Sequence, residues 1–252
     1  MIEVLILSLI QGVTEFIPIS SSSHLILISE FIRFDNQSLS IDVSLHIGSF
    51  LAIVFYFKNE IANFFLNKEL FFKIFISSTP VLLFGFLLVQ TNIIDEIRNI
   101  KIIAWTTLIF GIILHFSDKF KLKNNLESDF TLKSALFIGF FQILSLIPGV
   151  SRSGITITAA RILNFKRVDA AKISFLLSIP TLAGVSIYGL KNIISSPDIN
   201  FSILNFISVL FSFFFSLITI KYFLKFLKRF SLQIFVIYRI ILGLGLLIFA
   251  YL

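Results

Sequence analysis

Eight apolar runs, near residues 1–17, 43–57, 74–91, 101–117, 134–148, 172–191, 203–224 and 233–252, set the limits on what this chain can fold into. Each reaches or approaches the roughly 20 residues that a helix needs to cross a bilayer. In hydrocarbon a bare N–H or C=O finds no water, so such runs must be helical. The period-two alternation of an outer-membrane barrel is absent. Only 14% of the residues are charged and the mean hydropathy is +0.98, far from the roughly 25% charged content of soluble domains. The chain therefore reads as an all-α polytopic membrane protein. It has no cysteine, which excludes disulfides and thiolate metal sites. The opening MIEVLILSLI lacks the cationic leader and small-residue cleavage site of a signal peptide and is expected to be part of the fold.

Charge placement predicts topology. Of the 21 Lys and Arg, fifteen fall in four clusters: Lys58, Lys68 and Lys73; Lys119, Lys121, Lys123 and Lys133; Arg161, Lys166, Arg167 and Lys172; Lys221, Lys225, Lys228 and Arg229. Such clusters belong on the cytoplasmic side, and the cation-poor loops around 92–100 and 192–202 on the other. The second and third clusters then share a side, although the apolar stretches 134–148 and 153–164 lie between them. These two stretches must enter the membrane and return as a re-entrant hairpin. By the same argument residues 1–33 form a second hairpin entering from the opposite face, with both termini outside. The net charge of +7 is accounted for by orientation and anionic lipid, and calls for no nucleic acid.

An internal repeat agrees with this topology. FIPISSSSHLIL can be laid on LIPGVSRSGITI, bringing Pro18 onto Pro148, and a similar shift lays HIGSFLAIVFYFKNEI on SIPTLAGVSIYGLKNII. One membrane domain over 1–252 is expected, made of inverted repeats 1–117 and 133–252 joined by a polar cytoplasmic linker, 118–132. The two hairpins would meet near the membrane midplane.

The hairpin tips carry the chemistry. Pro18 and Pro148 each break a helix, and serines follow that can cap the next one. Helices that begin at depth point free N–H groups and positive dipole ends at a common centre, which favours an anion. Arg152 adds a permanently charged fork matched to phosphate or carboxylate, with Ser151, Ser153, Gly149 and Gly154 allowing close approach of a ligand. In the first tip, Glu15 and His24 supply acid–base groups, and Ser20, Ser21, Ser22 and Ser23 supply hydroxyls. Gln11, one turn before Glu15, can orient its carboxylate. Plainer readings stand beside these: serines after a proline are ordinarily caps, and Glu15 can be the structural ion-pair partner of Arg152. An intramembrane charge costs roughly 2.5–3.5 kcal/mol on the insertion scale, which makes function its default reading. His46 and His115 read as structural histidines. Arg239, six residues into the last run, reads as snorkelling or internally paired and stands outside the site.

QGVTEFIPISSSSHLIL together with PGVSRSG resembles the undecaprenyl-diphosphate phosphatase family, the bacitracin-resistance type of membrane phosphatase, and LHIGSFLAIVFYF and SFLLSIPTLAG extend the resemblance over nearly the whole chain. The resemblance implies hydrolysis of undecaprenyl diphosphate to undecaprenyl phosphate and phosphate in the bacterial inner membrane, recycling the lipid carrier of peptidoglycan synthesis. It matches Glu15, Ser20, Ser21, His24, Ser151 and Arg152 to the family's functional residues and implies a site facing the outer side; catalytic roles are expected of Glu15, Ser21, His24 and Arg152, and substrate contacts of Gln11, Ser20, Ser22, Ser151, Ser153 and Gly154. It also implies a divalent cation, Mg2+ or Ca2+, at Glu15. Many members have glutamate where this chain has Gln11, and threonine-glycine where it has Ser22 and Ser23. With one carboxylate left, the cation would be held mostly by substrate phosphate oxygens and water. The expected mechanism has Arg152 and the helix N-termini clamping the diphosphate, Ser21 or a water attacking phosphorus, His24 as base or leaving-group acid, and Glu15 orienting His24 or holding the metal. A homodimer is one assembly open to such a chain. The rival reading is a secondary transporter or flippase for polyprenyl phosphate using the same anion site, since inverted repeats with broken helices are transporter architecture. The membrane phosphatases with a PSGH element need a later histidine, and none follows His115.

Overall fold

The computed structural model describes residues 1–31, 38–64, 68–91, 97–194 and 203–252. The cation-poor loops expected around 92–100 and 192–202 fall largely outside the described residues. Among the described residues there is no strand, only an isolated bridge between Asn124 and Phe165. The helices are α1 (Ile2–Thr14), α2 (Ser21–Phe31), α3 (Leu39–Tyr56), α4 (Lys58–Phe64), α5 (Lys68–Gln90), α6 (Ile100–Asp118), α7 (Leu126–Asp129), α8 (Leu132–Ile143), α9 (Arg152–Ile162), α10 (Arg167–Ile194), α11 (Ile203–Leu227) and α12 (Gln233–Tyr251). Six of them, α3, α5, α6, α10, α11 and α12, are long and apolar enough to cross a membrane. The protein is an all-α polytopic membrane protein.

The remaining longer helices are too short to span. α1 has 13 residues, α2 11, α8 12 and α9 11, so none exceeds about 20 Å at 1.5 Å per residue against a hydrocarbon core of about 30 Å. They come in consecutive packed pairs, α1 on α2 and α8 on α9. Each pair is interrupted where the sequence has its proline. α1 ends at Thr14 and the chain turns through Pro18 before α2, while α8 runs into a 3₁₀ turn at Leu144–Leu146 and then past Pro148 to α9. The backbone at each break is unusual. Ser20 has φ +79° and Ser151 φ +72°, two of the three non-glycine residues with positive φ among those described. Such conformations cost about 1–3 kcal/mol each and gather at functional sites.

Hydrophobic driving force cannot hold helices together in lipid, so close packing and polar contacts must. On α11, Ser208, Ser212 and Ser216 recur every four residues and face Ser44, Gly48 and Ser49 of α3. Ser49 Oγ lies 3.1 Å from both Ser212 Oγ and Ser216 Oγ, Ser212 Oγ donates to the Leu45 carbonyl at 2.7 Å, and Asn205 donates to Ser44 Oγ at 3.1 Å. α6 packs on α12, α10 on α3, and the lead helix of each short pair lies on a long helix, α1 on α11 and α8 on α5. These approaches depend on small residues. A Cβ at Gly12 would meet Phe215 Cβ at 2.6 Å, and one at Gly139 would collide with the Ser77 carbonyl oxygen. The linker is anchored too: the Lys123 and Asn124 N–H groups both donate to the Asn164 carbonyl at 3.0 Å, tying it to the turn after α9.

Gly139→Ala should therefore destabilise the protein, because α8 cannot move off α5 without shifting the tip it carries. Gly245→Ala is the internal control, since nothing lies within 4 Å of the added methyl. In thermal unfolding of the detergent-solubilised protein we expect the first variant to lose on the order of 1–3 kcal/mol and the second to match the parent.

Candidate functional site

Phe16 starts the first tip. It is fully buried and packs edge-on against Phe175 of α10, with ring centroids 5.4 Å apart, which fixes the turn that follows α1. Its neighbour Glu15 is turned into the protein with 7% of its surface exposed, and both carboxylate oxygens are occupied. Oε1 takes a 2.8 Å ion pair from Arg152 Nη2 of the second tip. Oε2 accepts from Ser21 Oγ at 2.6 Å and from Gln11 Nε2 at 3.0 Å. A second bond from Gln11 Nε2 reaches His46 Nδ1 on α3, also at 3.0 Å, and places that nitrogen 4.0 Å from Glu15 Oε2. Since the amide NH₂ donates, this His46 nitrogen accepts. A buried carboxylate with a bidentate-capable cation, a hydroxyl, an amide and an imidazole around it is a satisfied group at a depth where an unsatisfied one would be costly.

The two tips are stitched together by more than this pair. Ser153 Oγ donates to the Ile17 carbonyl at 2.8 Å. Ser151 caps α9, accepting from the Gly154 N–H at 3.1 Å, with Ser153 Oγ 3.2 Å away. The room that a side chain would take at Gly154 is filled by Arg239 and Ser151, so this glycine makes space for protein rather than for a ligand. Gly149, at φ +92°, has no room for a Cβ against Thr106 Oγ1. In the first tip Ser20 Oγ bonds Ser23 Oγ at 2.9 Å and lies 3.4 Å from the exposed Ser22 Oγ.

Sequence reasoning placed His24 beside Glu15; the structure gives it other partners. Its Nδ1 bonds the Ser20 carbonyl at 2.6 Å, so Nδ1 carries the proton, and Nε2 is left to accept from Tyr238 Oη at 2.6 Å. The Tyr238 ring also stacks on the imidazole, centroids 5.8 Å apart and 14° from parallel. The group that Glu15 meets instead is His46, which the sequence reading took as structural.

Arg239 is the larger correction. It neither snorkels nor pairs with a carboxylate among the described residues; it is fully buried and donates to backbone. Nη1 reaches the carbonyls of Pro18 (3.2 Å) and Val150 (3.0 Å), Nη2 those of Gly149 (2.9 Å) and Thr106 (3.5 Å), and Nε that of Thr107 (3.2 Å). One guanidinium thus holds both tips. A charge within an apolar run has a functional reading by default, and by that rule Arg239 stands with Glu15 and Arg152 rather than outside the site as a snorkelling or internally paired residue.

The residues present fit a divalent cation only in part. Among the described residues no three His, Asp or Glu side chains gather. Near Glu15 the side chains offer two further oxygens, Ser21 Oγ, which is bonded to the carboxylate, and Gln11 Oε1, which is buried and has no hydrogen-bond partner. A single carboxylate with a hydroxyl and an amide oxygen is no closed cage for Mg2+ or Ca2+, so a cation here would draw its other ligands from phosphate and water.

The sequence model of one family, described as bacitracin resistance protein BacA, matches residues 4–245. Curated relatives match over nearly their full lengths. An undecaprenyl-diphosphatase of Pelagibacter ubique (strain HTCC1062) is 51% identical over 252 residues, 99% of this chain and 98% of the relative. An undecaprenyl-diphosphatase of Saccharophagus degradans is 43% identical over 95% of this chain and 94% of its own, and one of Jannaschia sp. (strain CCS1) 37% identical over 98% and 97%.

Arg239→Met keeps the bulk and removes the donors, leaving the carbonyls of Pro18, Gly149 and Val150 bare at depth. At about 1–3 kcal/mol for each such group, the loss should reach several kcal/mol, and Arg239→Lys should recover only a part because one ammonium cannot reach both tips. Thermal unfolding of the two variants beside the parent measures this.

Proposed function

The chain belongs to the bacitracin resistance protein BacA family, and on that footing we propose that Glu15, Ser21 and Arg152 form the centre at which it works. Its reaction is dephosphorylation of undecaprenyl diphosphate, as its relatives are named for, carried out by a multi-pass membrane enzyme. The products are undecaprenyl phosphate and inorganic phosphate, which links the enzyme to cell-wall synthesis and bacitracin resistance.

The observation that carries the placement is the 2.6 Å contact between Ser21 Oγ and Glu15 Oε2, with Arg152 at 2.8 Å on the other carboxylate oxygen. A hydroxyl bonded to a carboxylate is a nucleophile beside its base. In our reading Ser21 Oγ attacks the terminal phosphorus as Glu15 takes its proton. The bond from that phosphorus to the bridging oxygen breaks, and undecaprenyl phosphate leaves. A water then attacks the phosphoserine and returns the hydroxyl as phosphate departs. Arg152, one-eighth exposed, turns from Glu15 to the phosphoryl oxygens and stabilises the charge spreading over them. Gln11 holds the carboxylate in place and is itself held by its second bond, to His46 Nδ1. His24, its Nδ1–H fixed on Ser20, sets the first turn of α2 and keeps Nε2 as its one exchangeable position. A divalent cation held by Glu15, Gln11 Oε1 and the substrate's own phosphates would supply further charge neutralisation.

The same reading extends to topology. The short paired helices favour two re-entrant hairpins, and the exchange of partners, α1 on α11 against α8 on α5, favours inverted repeats 1–117 and 133–252. The cation clusters favour both termini on the outer side, while the family resemblance is what implies the bacterial inner membrane and an active site facing outward. The transport alternative gains no observation of its own, whereas the Glu15–Ser21 contact has a use in hydrolysis.

Phosphate release from undecaprenyl diphosphate by the purified protein, with and without Mg2+ or Ca2+, tests the assignment. We expect Glu15→Gln and Arg152→Ala to lose about 10²–10³-fold or more in kcat while remaining folded. Ser21→Ala separates the nucleophiles: a loss beyond about 10³-fold together with disappearance of a trappable phosphoserine supports serine, whereas a loss under about tenfold assigns the attack to water and overturns that step.

A further inference from the structure

At the linker end of the bundle a cavity of about 700 Å³ opens among Asp118, Lys119, Lys121, Lys123, Arg167 and Gln233. It lies at the membrane surface, because Asp118 ends the span α6 while Arg167 and Gln233 begin the spans α10 and α12. Its one acid is already used. Asp118 accepts from Arg167 Nε at 2.7 Å and Nη2 at 3.1 Å and from the Leu232 N–H at 3.1 Å, with Arg161 Nε at 3.6 Å. Among the described residues no carboxylate pairs with Lys119, Lys121 or Lys123.

The loop bearing these lysines is built from beneath. Arg161, fully buried, donates to the carbonyls of Asp118 (3.1 Å), Phe120, Lys121 (3.2 Å) and Phe165, and the N–H of Lys123 is taken by Asn164. Membrane orientation needs only cations near a span; it does not need them pinned around a cavity whose acid is saturated. Between the lysines stand Phe120 and Leu122, 46% and 47% exposed, in the alternation Lys-Phe-Lys-Leu-Lys. A free anion has no use for that apolar fringe, but a lipid does.

We propose that this cavity binds the headgroup phosphate of an anionic phospholipid, with Lys119, Lys121, Lys123 and Arg167 around the headgroup and Phe120 and Leu122 against the glycerol and acyl chains. The proposal uses no residue of the tips and stands apart from the catalytic reading.

The test is binding to the full-length protein in detergent, read by native mass spectrometry and by the thermal shift on titration with dioleoylphosphatidylglycerol, dioleoylphosphatidylcholine or inorganic phosphate. The parent should bind phosphatidylglycerol in preference to phosphatidylcholine, and K119Q/K121Q/K123Q should weaken that binding at least about tenfold. F120S/L122S should also weaken it, and raising salt from about 50 to about 500 mM should weaken it in the parent itself, which keeps the test independent of any variant's folding. Binding unchanged by the lysine substitutions or by salt, or equal for phosphatidylcholine, overturns the proposal. So does protection by inorganic phosphate equal to that by phosphatidylglycerol with F120S/L122S silent, which would make the cavity a free-phosphate site. Phosphate release from undecaprenyl diphosphate should be unchanged in both variants, a fold check separate from the lipid result.

Discussion

Every helix broken inside a membrane exposes carbonyls that lipid cannot satisfy, and the architecture of this protein rests on how those carbonyls are capped. Arg239 does most of it. A guanidinium has five donors in a rigid fork, and here they reach carbonyls on both tips and on α6 between them. The consequence is geometric as well as energetic, because Pro18 and Val150 share one Nη1 and so cannot drift apart without baring a carbonyl. The approach of Glu15 to Arg152 follows from that constraint. A charge without a carboxylate partner is thereby converted into the hinge pin of the site.

Within that frame the two tips divide the work. The first brings Gln11, Glu15 and Ser21 onto one carboxylate; the second brings Arg152 and a capped helix start. The plainer readings of these residues prove compatible with function rather than opposed to it. Ser151 is a cap, and Glu15 and Arg152 are an ion pair across the tips, yet the same pair presents a cation and a hydroxyl to one point. In the mechanism we propose, a dianionic phosphoryl group replaces the carboxylate as Arg152's partner and frees Glu15 to act on Ser21. On that proposal the pairing is a resting state that substrate exchanges, not a rival to catalysis.

Much of this was legible in the sequence. Run lengths and cation clusters predicted an all-α membrane protein with eight apolar runs, those at the two proline motifs set apart as hairpins, because both follow from one-dimensional quantities: apolar length and charge. The Glu15 and Arg152 encounter was anticipated from paired motifs around Pro18 and Pro148. What stayed hidden were contacts set by three-dimensional approach. His46 lies 31 residues beyond Glu15 on another helix, and Tyr238 lies 214 residues from His24, and no spacing rule connects either pair. His24 was joined to Glu15 because both sit in one motif. The break at Pro18 turns α2 so that Ser21, not His24, faces the carboxylate.

Three arginines among the described residues are largely removed from solvent, and comparing them shows why only one is suited to a substrate. Arg161 and Arg239 are fully buried and spend most of their donors on backbone carbonyls. Removing either donor set would strand several acceptors at once, so neither guanidinium can turn to a ligand without unravelling a turn. Arg152 differs in both respects. Its side chain keeps 13% of its surface exposed, and its short bond is to Glu15, a carboxylate that also holds Ser21 and Gln11 and is not stranded when the arginine leaves. Its backbone contacts, to Ser174 at 3.4 Å and to Glu15 at 3.5 Å, are long. An exchangeable partner and an open edge are what a phosphate-binding cation requires, and among these three arginines only Arg152 has them.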